Sequence, residues 1–392
     1  MNQQYLFDDL ENINLENEDD VKVNLVEYQQ AVIWSTDWTT GTIVNQMDKG
    51  TIDLKPKFQR REAWDDKRKS KFIESIILGL PIPQIILAER KDKKGTYIVI
   101  DGKQRLLSIR RFFSKANDDI FPRLKLKGLD SLNTLNNKSF IDLETDPSLQ
   151  DFATVIENQP IRTIVIKNWP NEAFLYNVFL RLNTGSLPLA PQELRQALHP
   201  GPFIDYTDEF SVESIQIKKV LNIQEPDYRM RDIELVIRFF AFKYFINNYN
   251  GNLKRFFDET VENLNMQWAY QESNVIESAN ELNNAIDFSY TIWGGNAFRK
   301  WKDNNYQGRF NRAIYDIMVY YFSEPTIRTA AQGHLLEIEN RFKFLSETDN
   351  EFLNSFETST KNITPTNKRY STWGESLAEI CNIPIVVPNL IQ

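Results

Sequence analysis

The chain has 392 residues, 41% of them hydrophobic and 12% aromatic, which is enough for a sizeable core and too apolar for global disorder. One cysteine, Cys381, and two histidines, His199 and His334, exclude an internal disulfide, a cysteine-based zinc site, a His-Asn-His metal nuclease and a multi-histidine phosphodiesterase. The net charge of −8 argues against a general nucleic-acid binder, yet residues 55–127 hold 20 Lys/Arg against 9 Asp/Glu. A basic module inside an acidic protein is the footprint of a phosphate-bearing ligand, nucleotide or DNA; the plainer alternative is a solvated lysine-rich face. Each lone histidine reads more simply as a surface or core residue than as a catalyst.

In chain order, residues 1–30 read as an acidic tail, with seven acids and no base in the first twenty. There is no signal-peptide character, and no apolar run approaches the roughly 18–20 residues of a membrane span, so a soluble cytoplasmic protein is expected. "TTGTIVNQMDKGTIDL" predicts a short helix ended by Gly50 and a strand at 51–54. "KPKFQRREAW" is a loop. "DDKRKSKFIESIILGL" is a helix capped by Asp65 or Asp66, with Phe72, Ile73, Ile76, Ile77 and Leu80 on its apolar face and Gly79 and Pro81 at its end. "PIPQIILAER" enters a strand, "KDKKG" turns, and "TYIVID" returns. A helix from Lys103 then places Leu106, Ile109, Phe112 and Phe113 inward, with Arg110 and Arg111 outside. "QPIRTIVIKNW" is a further strand, and "NEAFLYNVFLRLNTG" and "LAPQELRQAL" are helices. Beyond residue 200 the pattern is helical and rich in aromatics, with no period-2 strand. The expected architecture is α+β: a small mixed module over 31–200, then an α-helical domain over 201–392.

Three polar clusters carry the chemistry. At Asp101-Gly102-Lys103-Gln104-Arg105 a strand becomes a helix. The first N–H groups of a helix lack intrahelical partners and carry the positive end of its dipole, so they can bind an anion. Gly102 lets phosphate oxygens approach the backbone, Arg105 can add a bidentate contact, and Asp101 can hold a divalent ion or orient water. The alternative is an ordinary Asp-Gly turn before a basic helix. In "FQRREAW", Gln59, Arg60 and Arg61 lie in a loop that Trp64 would pin to the core. In "RLNTGSLPLAPQELRQAL", Arg181 and Asn183 end one helix, and Glu193 and Arg195 begin the next. An Arg181–Glu193 or Glu193–Arg195 pairing there would be purely structural.

The order FQRR, Trp64, ESIILGLPIPQIIL, DGKQR, FLRLNTG and ELRQAL resembles the N-terminal-domain family of the GmrSD restriction endonucleases, a relative of the ParB and sulfiredoxin nucleotide-binding folds. The likeness covers most of 35–200, and YRMRDIEL and WGGNAFRKW resemble the helical continuation of stand-alone members. The family usually has Asp-Gly-Gln-Gln-Arg, where this chain has Lys103 in place of the first Gln. The resemblance implies a ParB-like module that binds and hydrolyses an NTP in prokaryotic anti-phage or restriction-type defence. By position it implies Asp101, Gln104 and Arg105 as catalytic residues. It likewise implies Gln59, Arg60, Gly102, Lys103, Arg105, Arg181 and Asn183 as nucleotide contacts, and Asp101 as the ligand of Mg2+. The expected partners are nucleotide, DNA and a separately encoded nuclease or other defence protein; oligomers are compatible with the aromatic helices, and a membrane is not expected. Two alternatives stand beside this reading. One is a Mg2+-dependent DNA-nicking endonuclease using Asp101, Glu74 and Glu62. The other is a non-catalytic DNA-binding or interaction protein.

Overall fold

The computed structural model describes residues 29–52, 54, 63–114, 118, 121–182, 190–357 and 360–391; the first 28 residues of the expected tail lie outside them. The chain divides into two compact units. One comprises Val21–Leu198 with Tyr228–Met230, and the other centres on His199–Asp227 and Arg231–Gln392.

The first unit runs β1 (Val32–Thr39), α1 (Thr40–Asp48), α2 (Asp66–Ile77), β2 (Ile85–Glu89), β3 (Tyr97–Asp101), α3 (Lys103–Phe112), α4 (Phe140–Thr145), α5 (Gln150–Asn158), β4 (Pro160–Lys167), α6 (Glu172–Leu182) and α7 (Pro191–Leu198). Its sheet has the order β1-β4-β2-β3. The β4–β2 pair is parallel, and the outer pairs, β1–β4 and β2–β3, are antiparallel. Side chains alternate across a strand, and β2 is apolar on both faces. Ile85 and Leu87 join a core with Phe72, Ile73 and Ile76 of α2 and Leu106, Ile109 and Phe112 of α3. Ile86 and Ala88 join a second core with Ile98 and Ile100 of β3, Phe174 and Phe179 of α6, and Leu194 of α7. Helices therefore cover both faces, and β3 ends between them.

Local chemistry explains the element ends. Asp65 caps α2, its carboxylate accepting the Arg68 N–H at 2.7 Å, as a short acidic side chain at that position does. Leu80, expected on the apolar face of α2, lies beyond the helix end and is half exposed. The strand expected at 51–54 is reduced to a single bridge between Ile52 and Tyr97 among the described residues. β1, unassigned from sequence, is held by its full-length ladder with β4 while its first residues stay exposed.

The second unit is mainly helical, with α8 (Pro202–Glu213), α9 (Ile215–Leu221), α10 (Arg231–Phe245), α11 (Leu253–Met266), α12 (Trp268–Trp293), α13 (Arg312–Phe322), α14 (Pro325–Ala331), α15 (Leu335–Thr348), α16 (Asn350–Asn354) and α17 (Ile363–Cys381). A hairpin, β5 (Arg299–Lys302) and β6 (Asn305–Phe310), interrupts it and corrects the all-helical expectation. Its turn residues, Asp303 and Asn304, both have positive φ, +53° and +58°, as a tight turn matched to strand twist requires. No helix among the described residues is long and apolar enough to cross a membrane.

Candidate functional site

The strand-to-helix junction forms as its sequence predicts. Asp101 ends β3, and Gly102 takes the left-handed backbone, φ +100° and ψ 12°, at the start of α3. That conformation strains any residue with a Cβ. A Cβ there would also sit 3.2 Å from Ile85 Cγ1 and 3.4 Å from Arg105 Nε. Glycine thus turns the chain and leaves room for the arginine one turn on. Among the described residues no side chain caps α3, so its start has the dipole-positive character that can receive an anion.

The charged residues of the junction are engaged within the chain. Arg105 is buried and folds back on Asp101, Nη2 to Oδ2 at 2.6 Å, while the Asp101 side chain remains 27% exposed. Lys103 is buried and donates to Glu193 Oε1 at 2.8 Å, with both side chains under a tenth exposed. The other oxygen of Glu193 accepts the Ala190 N–H at 2.8 Å, which anchors the carboxylate at the start of α7. Gln104 reaches the FQRREAW cluster. Its Oε1 accepts the backbone N–H of Trp64 at 3.3 Å. Trp64 packs edge-on against Phe72 and belongs to the core of that face, and its carbonyl accepts from Lys69 Nζ at 2.6 Å.

Parts of all three polar clusters therefore meet at the start of α3. The loop before α2 arrives through Trp64 and α7 through Glu193. α7 belongs to the opposite face of the sheet, so the Lys103–Glu193 bond joins the two helical layers around the end of β3. Arg181 lies exposed on the last turn of α6, and that helix packs on β3 and α7. Gln59, Arg60, Arg61 and Glu62, with Asn183 and Gly185, lie outside the described residues.

Several expectations are corrected. Glu193 pairs with Lys103, rather than with Arg181 or Arg195. Arg195, buried on α7, donates to Gln192 Oε1 at 2.7 Å. Gln192 itself is 2% exposed, and its Nε2 has no hydrogen-bond partner among the described residues. Nothing in the polar run of α7 marks these residues as buried, so composition gave no signal for them. Arg111, placed outside from sequence, is buried, its Nε bonded to the Pro122 carbonyl at 2.9 Å and its Nη1 to Asp66 at 3.0 Å. Arg110 bridges Asp48 and Asp118. Glu74, a candidate acid for the nicking alternative, is buried and accepts the N–H groups of Asp130, Ser131 and Leu132 at 3.1, 2.7 and 2.8 Å. It organises a loop. His199 is buried beside Glu262 at 3.2 Å, and His334 pairs with Glu337 on the surface.

Residues 40–200 match the family model described as the GmrSD restriction endonuclease N-terminal domain. No curated protein and no solved structure gives a significant match. The matched span holds every element that meets around Gly102, from Trp64 to Glu193. The module at 40–200 is thus similar to the N-terminal domain of the GmrSD restriction endonuclease.

Proposed function

We propose that the 40–200 module binds a nucleoside triphosphate at the start of α3 and hydrolyses it, acting as the sensor or regulator of a defence system. The observation that carries this reading is the uncapped helix start at Gly102, on which residues of three separate polar clusters converge. Backbone N–H groups and the helix dipole would receive phosphate oxygens there. Arg105, once turned from Asp101, would add a planar two-pronged contact that grips a phosphate and stabilises the charge of the transferring group. Gln104 is half-buried and held by Trp64 through its carbonyl oxygen, which leaves its amide N–H groups to orient an attacking water. Gln59, Arg60, Arg181 and Asn183 would complete the nucleotide contacts.

Mg2+ bound with the nucleotide would neutralise phosphate charge. Among the described residues no group of three potential metal-binding side chains gathers at Asp101. One partly exposed carboxylate suits an ion held mainly by phosphates and water. In this reading the helical unit responds to nucleotide state by engaging DNA, a separately encoded nuclease or another defence protein, within the cytoplasm.

Calorimetry with each of the four NTPs and Mg2+ tests the proposal on wild type and Arg105→Ala. Binding by wild type, weakened at least about tenfold in the variant, is expected from loss of one charge-assisted contact. Phosphate release under the same conditions would establish turnover. No binding to any of the four, or equal binding by the variant, would reject the reading, and a plasmid-nicking assay would then test the nuclease alternative.

A further inference from the structure

We draw no further inference here: the strongest candidate, the outer edge of the sheet at β1 where Val32, Ile33 and Trp34 are exposed, is an apolar strand edge, and nothing among the described residues shows what covers it.

Discussion

Each unit of the protein buries an arginine against an aspartate, and the two pairs are built differently. In the helical unit, Arg238 of α10 grips Asp316 of α13 with two bonds, 2.9 and 2.5 Å, and the side chains are 3% and 1% exposed. Glu234 stands 3.8 Å from Arg238 and 3.1 Å from Arg312. Burial opposes the Arg238 charge, but the Asp316 carboxylate outweighs it and raises the pKa above the usual arginine value. In the sheet unit, Arg105 meets Asp101 through one contact beside an uncapped helix start. A pair closed on every side serves packing. A pair with one contact and a partly wet carboxylate can change partners.

The largest expected effect breaks the closed pair. Asp316→Ala leaves a guanidinium buried with its two best contacts removed, and should cost about 3–5 kcal/mol in stability, read from chemical denaturation. A loss under about 1 kcal/mol would mean that Glu234 alone satisfies Arg238.

Glu74 gives an intermediate case, a buried carboxylate whose partners are backbone N–H groups. Burial pushes its pKa up, but the hydrogen bonds from Leu132, Asp130 and Ser131 outweigh that and hold it below the ordinary glutamate value. Because the folded pKa is the lower one, its contribution to stability is present above the unfolded value and is lost as pH falls through the folded value. Glu74→Gln should therefore cost about 1–3 kcal/mol at neutral pH. The gap between variant and wild type should close as pH drops below about 4. A gap independent of pH would assign the cost to geometry.

The sequence carried local structure far better than it carried such pairings. The alternation of "TYIVID", the Asp-Gly break and the apolar spacing of "KQRLLSIRRFF" specify strand, turn and helix within a few residues, and Asp65 announces the start of α2. Glu193 is ninety positions from Lys103, and only the sheet, with α3 and α7 on its two faces, brings them together. Its nearer candidates, Arg181 and Arg195, were therefore the natural reading. The spacing of α3 places Arg111 outside for the same reason, since helical spacing is blind to Asp66 and Pro122 packed across it.

The basic excess of residues 55–127 has a similar lesson. Several of its cations are paired with carboxylates of the chain, Lys71 with Asp130 and Lys127 with Asp66 at the surface and Arg110 with Asp118 within the fold, so charge density overstates the cations left open to phosphate. β1 has no sequence signal of its own because backbone pairing with β4, and not a buried apolar face, holds its first half. The hairpin at 299–310 did offer a signal, Asp303-Asn304, which a reading weighted toward apolar periodicity passes over.

The smallest effect sharpens the comparison most. Asp101→Asn removes the charge from the exchangeable pair while keeping an oxygen that can accept from Arg105. A partly exposed pair with one contact contributes about 1 kcal/mol or less, so the variant should unfold at nearly the wild-type urea concentration with an unchanged slope. If it instead lost as much as Asp316→Ala, Arg105 and Asp101 would belong with the closed pairs that maintain the fold. Arg105 could not then leave its carboxylate for a phosphate without disrupting the start of α3. A near-neutral result has the opposite force: it leaves the guanidinium free to change partners at little cost, which is what a phosphate site at Gly102 requires.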